Sequence, residues 1–223
     1  MRIAPLALAL VLAQDGEKRP FTDRFAVDEK DLGPTGANPF FVLEPGYQLV
    51  LEDLKDEEVL TITVLDETKQ VSGVETRVVE ERETVQGKLV EVSRNFFAIC
   101  RKTNGVYYFG EEVEIYKDGK LHGQEGAWLA GEKGARFGMI MPGTPLLGAR
   151  HYQEIAPGVA MDRAEVVGLT ERLEVPAGKF ENVLKVEETT PLEPDEKSFK
   201  YYAPGVGLLK DGGCRLVKFG KKP

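Results

Sequence analysis

The sequence predicts an all-β fold in which antiparallel meanders, in two related halves, form a barrel, half barrel or sandwich with few short helices. Three observations predict it. The 24 glycines and 13 prolines among 223 residues suit strands joined by tight turns. From Asn38 onward, short runs rich in Val, Thr, Ile or Tyr recur between turn residues, which is the signature of strands. The second half also repeats the first in a weak but ordered way.

In chain order, Arg2 and the apolar run Ile3–Ala13 read as a secretory signal peptide over residues 1–13. Val11 and Ala13 are small enough for cleavage before Gln14, and the run is too short to span a bilayer. Residues 14–37 are polar, rich in Gly and Pro and without periodicity, and read as a flexible leader. Residues 38–220 form a single β domain. Its candidate strands include Tyr47–Glu52, Val59–Leu65, Glu75–Val79, Lys88–Val92 and Val113–Lys117. Alternation places Leu60, Ile62 and Val64 on one sheet face and turns Thr61 and Thr63 to water. Asp118-Gly119 marks a hairpin turn, and Gln86-Gly87 and Asn104-Gly105 read as similar reversals. Helix is expected only briefly, around Asp53–Glu58 and Ala160–Val167.

The two repeats span about 38–125 and 141–220. Pro39 answers Pro142, Gly46 answers Gly148 and Glu67 answers Glu171, at offsets of 102 to 104. Val71-Ser72-Gly73 answers Val175-Pro176-Ala177-Gly178, and Tyr107-Tyr108-Phe109-Gly110 parallels Tyr201-Tyr202-Ala203-Pro204-Gly205. Such a pattern points to one supersecondary unit used twice, with the two tyrosine pairs on equivalent strands.

The segments Asn38-Pro39-Phe40-Phe41, Met141-Pro142-Gly143-Thr144-Pro145, Val175-Pro176-Ala177-Gly178-Lys179-Phe180 and Tyr201-Tyr202-Ala203-Pro204-Gly205-Val206-Gly207 resemble a family of uncharacterised secreted bacterial β-rich proteins. The Pro-Ala-Gly-x-Phe and Tyr-Ala-Pro-Gly-Val-Gly pieces are similar to those of the TapB-like envelope proteins. The resemblance implies a secreted or periplasmic domain whose antiparallel sheets curl into half barrels. It brings no activity and no catalytic residue.

The net charge of −8 lacks the positive field that recruits nucleic acid, and no later apolar run is long enough to cross a membrane. With only His122 and His151, and no paired histidine motif, neither a metal nor a cofactor is expected. The acidic clusters Glu80-Glu81-Glu83 and Glu111-Glu112-Glu114 read as solvated strand faces. Cys100 and Cys214 form a disulfide in an oxidising compartment or remain as two buried thiols.

Aromatic residues carry the binding expectation. Tyr107, Tyr108, Trp128, Tyr201 and Tyr202 are the candidate ligand residues, with one ring of each consecutive pair facing in and its neighbour out. The preferred function is a secreted or periplasmic, non-enzymatic binding or envelope-associated protein for a small apolar or lipid-like molecule. One alternative is a secreted hydrolase or lyase using Glu125, His151 and Glu154. Another is a structural interaction module that uses a sheet edge.

Overall fold

A computed structural model describes residues 20–221; the signal peptide expected at 1–13 lies outside them. A single turn of 3-10 helix, Glu29–Asp31, precedes β1 (Leu32–Gly33). A meander then runs through β2 (Tyr47–Asp53), β3 (Glu58–Val71), β4 (Val74–Val85), β5 (Lys88–Cys100) and β6 (Val106–Lys117). Two short strands, β7 (Lys120–Gly123) and β8 (Trp128–Leu129), pair back onto β6 ahead of β9 (Arg136–Met141). After β10 (Arg150–Tyr152) and β11 (Glu154–Ile155), a second meander comprises β12 (Arg163–Val175), β13 (Gly178–Thr189), β14 (Ser198–Ala203), β15 (Gly207–Asp211) and β16 (Cys214–Lys221).

The protein is all-β, as its composition predicts. Thirteen strands pair antiparallel in the order β10-β12-β13-β14-β15-β16-β2-β3-β4-β5-β6-β9-β11 and curl into a nearly closed barrel. Both ends of that order lie in one stretch of chain. Residues 150–152 pair with β12, residues 154–155 pair with β9, and Gln153 sits between them. One segment thus bridges the two margins, pairing with residues 163–165 of β12 on one side and 136–137 of β9 on the other.

Turn chemistry accounts for the hairpins. Ser72-Gly73, Gln86-Gly87 and Asp118-Gly119 each have positive φ at both central positions, as the two-residue turn matching strand twist requires. The expected helices do not form. Residues 54–57 are the turn between β2 and β3, and β12 begins at Arg163, where the β-branched pair Val166-Val167 favours extended backbone.

The segment read as a flexible leader is, from Pro20 onward, a belt packed on the barrel. Thr22 exchanges backbone hydrogen bonds with Arg150 and Tyr152 at 3.0 and 2.9 Å. The Phe21 ring lies under the Arg150 and Arg163 guanidinium groups, at 3.9 and 4.7 Å, and Phe25 meets Tyr107 edge-on. β1 pairs with the end of β5. A few apolar anchors in a polar segment suffice to bind it down.

The disulfide is corrected to two buried free thiols. Register explains why. Cys214 Sγ contacts Glu58, whose row continues through Val85 to Lys88 at the start of β5. Cys100 lies at the other end of that strand, about 40 Å of extended chain away at ~3.3 Å per residue. A disulfide tolerates roughly 7 Å between Cα atoms.

Both halves contain an antiparallel strand pair of the same register. Gln48↔Thr63, Leu49↔Ile62 and Val50↔Thr61 in β2–β3 correspond, at an offset of 102, to Arg150↔Glu165, His151↔Ala164 and Tyr152↔Arg163 in β10–β12. Ahead of each, a left-handed glycine donates its N–H to the facing strand, Gly46 to Val64 and Gly148 to Val166, both at 2.8 Å. The tyrosine pairs do not correspond. Tyr201-Tyr202 on β14 stand beside β13 as Phe96-Phe97 on β5 stand beside β4, whereas Tyr107-Tyr108 lie one strand further, on β6.

Candidate functional site

The barrel holds a cavity of about 290 Å³. Strand alternation sets its lining, since paired residues on neighbouring strands point to the same side. Leu49 of β2 with Leu60, Ile62 and Val64 of β3 make one wall entirely apolar, extended by Phe40 and Phe41 from the loop before β2. Thr61 and Thr63 belong to the opposite face of that strand, as its alternation predicts.

Most of the polar groups in the lining come from the remaining strands. Glu81 from β4, Glu91, Ser93 and Asn95 from β5, and Glu111 from β6 open onto the same space. From the second meander come Glu188, Lys200, Tyr202 and Asp211, while the closing segment contributes Gln153 and Glu154. The acidic clusters are therefore split by the pleat rather than wholly solvated. Glu80 and Glu112 face outward, with Glu112 paired to Lys69, whereas Glu81 and Glu111 face the lumen. A hollow barrel has two faces that accept polar groups, which a polar-outside rule does not anticipate.

Lys200 organises part of this wall. Its ammonium lies 3.0 Å from Glu188 and 3.4 Å from Asp211, and Gln153 donates to the other Glu188 oxygen at 2.7 Å. The two carboxylates hold the Lys200 pKa well above the usual lysine range against the opposing effect of burial. On the other side, Tyr108 donates to Asn95, whose amide donates to Ser93 at 3.1 Å. Phe97 stacks on the Tyr108 ring at 4.7 Å, Phe41 meets Phe97 at 5.0 Å, and Trp128 meets Tyr108 edge-on at 5.3 Å.

Three lumen carboxyls titrate abnormally high. Burial pushes Glu81 up to about 7, Lys200 only partly offsets it, and Asp211, Glu91 and Glu83 add to it. Burial likewise raises Glu111 to about 7, offset in part by the Tyr108 hydroxyl and reinforced by Glu81 and Glu91. Glu154, 6% exposed, is held well above the usual carboxylate range by burial and then by Asp162 and Glu111. Its one hydrogen bond runs from the Asp162 N–H at 3.3 Å. Enclosed carboxyls in this state are poised to ionise when a positive charge enters.

Of the five aromatic candidates, Tyr108 and Tyr202 line the cavity. Tyr107 lies on the other side of the sheet beneath Phe25 and Phe137, and Tyr201 turns outward toward Lys185 and Lys210. Trp128 backs Tyr108 and borders a smaller pocket next to Ala156 and Val159. The proposed catalytic trio is not assembled. Glu125 is exposed in the loop after β7, His151 is buried beside the cavity rather than in its lining, and only Glu154 reaches the lumen. Desolvation lowers the His151 pKa to about 4, so it stays neutral near pH 7 and is a poor general base.

Among the described residues, no helix is long and apolar enough to cross a membrane, and no three His, Cys, Asp or Glu side chains are grouped to hold a metal ion. Comparison with protein-family models, curated proteins and solved structures returned no match.

Proposed function

We propose that this protein is an exported, non-enzymatic binding protein that carries a small amphiphilic molecule inside its barrel. The observation that supports this reading most is the cavity in the lumen, whose lining joins an apolar wall to a polar one. A sheet of thirteen strands encloses more space than side chains alone fill, and pockets of this size with a few convergent polar groups usually take small molecules. Export rests on Arg2, the Ile3–Ala13 run and the small residues before Gln14. Association with the cell envelope rests on the motif resemblance alone.

The neutral fluorophore N-phenyl-1-naphthylamine tests binding. Saturable one-to-one enhancement is expected, with loss in a Leu60→Trp variant of unchanged melting temperature. No enhancement, or enhancement indifferent to that substitution, contradicts the reading. Export is checked separately by sequencing the N-terminus of protein recovered from a bacterial periplasm or medium. It should begin at or near Gln14, and intact Met1 on that material overturns export.

A further inference from the structure

We infer that the ligand is an organic cation, an ammonium or amidinium group on an apolar body, whose charged end is received by Glu81 with Glu111 and Glu154 while its body lies along Leu60, Ile62 and Phe97. This rests on the lumen being a binding site and goes on to name the chemistry of its occupant.

The charge balance of the polar wall carries the argument. Its one cationic side chain, Lys200, is already matched by Glu188 and Asp211. The carboxyls of Glu81, Glu111 and Glu154 have no ion-pair partner among the described residues. Glu81 is the sharpest case. It is partly buried and lines the cavity, and it makes no hydrogen bond to another described side chain. A carboxyl largely withdrawn from water without a partner is costly, and Glu81 borders the space a ligand would fill.

An anionic head group would meet several carboxyls and a lysine already engaged. A neutral one would leave Glu81 uncompensated, whereas a cation supplies the missing charge. The rings of Phe97, Tyr108 and Tyr202 border the same space, and aromatic faces attract organic cations. A bare metal ion fits poorly, because no three ligating side chains among the described residues are spaced to hold one, whereas an ammonium or amidinium group can be met by carboxyls set further apart.

Titration calorimetry on the full chain at pH 7.5 with octylammonium, octanol and octanoate varies the head group on a constant chain. Octylammonium is expected to bind at least tenfold more tightly than octanol, and octanoate most weakly. Glu81→Gln should erase most of the preference for the amine while leaving octanol affinity within twofold. Glu111→Gln serves the same purpose if the first variant melts at a lower temperature. Equal affinity for amine and alcohol, or an amine preference indifferent to both substitutions, overturns the inference and leaves the cavity reading standing. If the naphthyl fluorophore also fails to bind, the cavity reading fails and this inference falls with it.

Discussion

The two walls of the lumen are built by neighbouring strands of one meander and behave oppositely. β3 presents Leu60, Ile62 and Val64, whereas β4, hydrogen-bonded to it along its length, presents Val79 and then Glu81. The register pairs Ile62 with Glu81, so the boundary between apolar and acidic surface falls across a single ladder. One wall stabilises the fold by burial at every pH. The other stores carboxyls at a cost that grows as they ionise, and such strain is kept where a ligand can relieve it.

Breaking the apolar wall should have the largest effect. Leu49 is 7% exposed, and Leu49→Ala should cost about 3 kcal/mol, equally at pH 5 and pH 8, measured by urea unfolding. Next is Lys200→Met, which strands Glu188 and Asp211 without their cation. A loss of about 2 to 3 kcal/mol is expected at pH 8 by urea unfolding, and no loss would show that the two carboxylates do not depend on their cation.

Glu81→Gln should change stability with the opposite sign. The folded-state pKa of Glu81 is raised from 4.5 to about 7, so the folded chain holds that proton more tightly than the unfolded chain does. Stability therefore falls as pH rises from about 4.5 to 7. The variant, with no proton to lose, should match the parent at pH 5 and exceed it at pH 8 by about 1 to 2 kcal/mol, a figure discounted because the group opens onto the cavity. A variant less stable than the parent at both pH values would contradict the burial of an uncompensated charge. Smallest of all, Tyr201→Ala on the outer face should cost under about 1 kcal/mol and leave octylammonium affinity unchanged. A clear loss of affinity would move the site to the outside of the barrel.

This contrast also shows where the sequence was legible. The alternation Leu60-Thr61-Ile62-Thr63-Val64 revealed which residues face in, and Gln86-Gly87 and Asp118-Gly119 marked turns whose positive φ values the structure bears out. Those signals are local. Glu81 carries the same local signal as a solvated glutamate, and only closure of the sheet makes its side of the strand an interior. The closing segment 150–155 was illegible for a related reason: its two strands are three and two residues long, too short for periodicity, and it matters because of what pairs on either side. The separation of Cys100 from Cys214 follows from register accumulated across β16, β2, β3, β4 and β5. The two tyrosine pairs looked equivalent because their compositions match, although their strands occupy different places in the order.

The most direct test of a lumen with one apolar and one charge-storing wall is a carbon-13 NMR titration of the glutamate side-chain carboxyls, with and without octylammonium. Two carboxyls, absent respectively from the spectra of Glu81→Gln and Glu111→Gln, should titrate with midpoints about 7 in the free protein. Both should shift well downward when octylammonium binds and stay in place with octanol. Glutamates that all titrate in the ordinary range near 4.5 and do not respond to the amine would contradict the account.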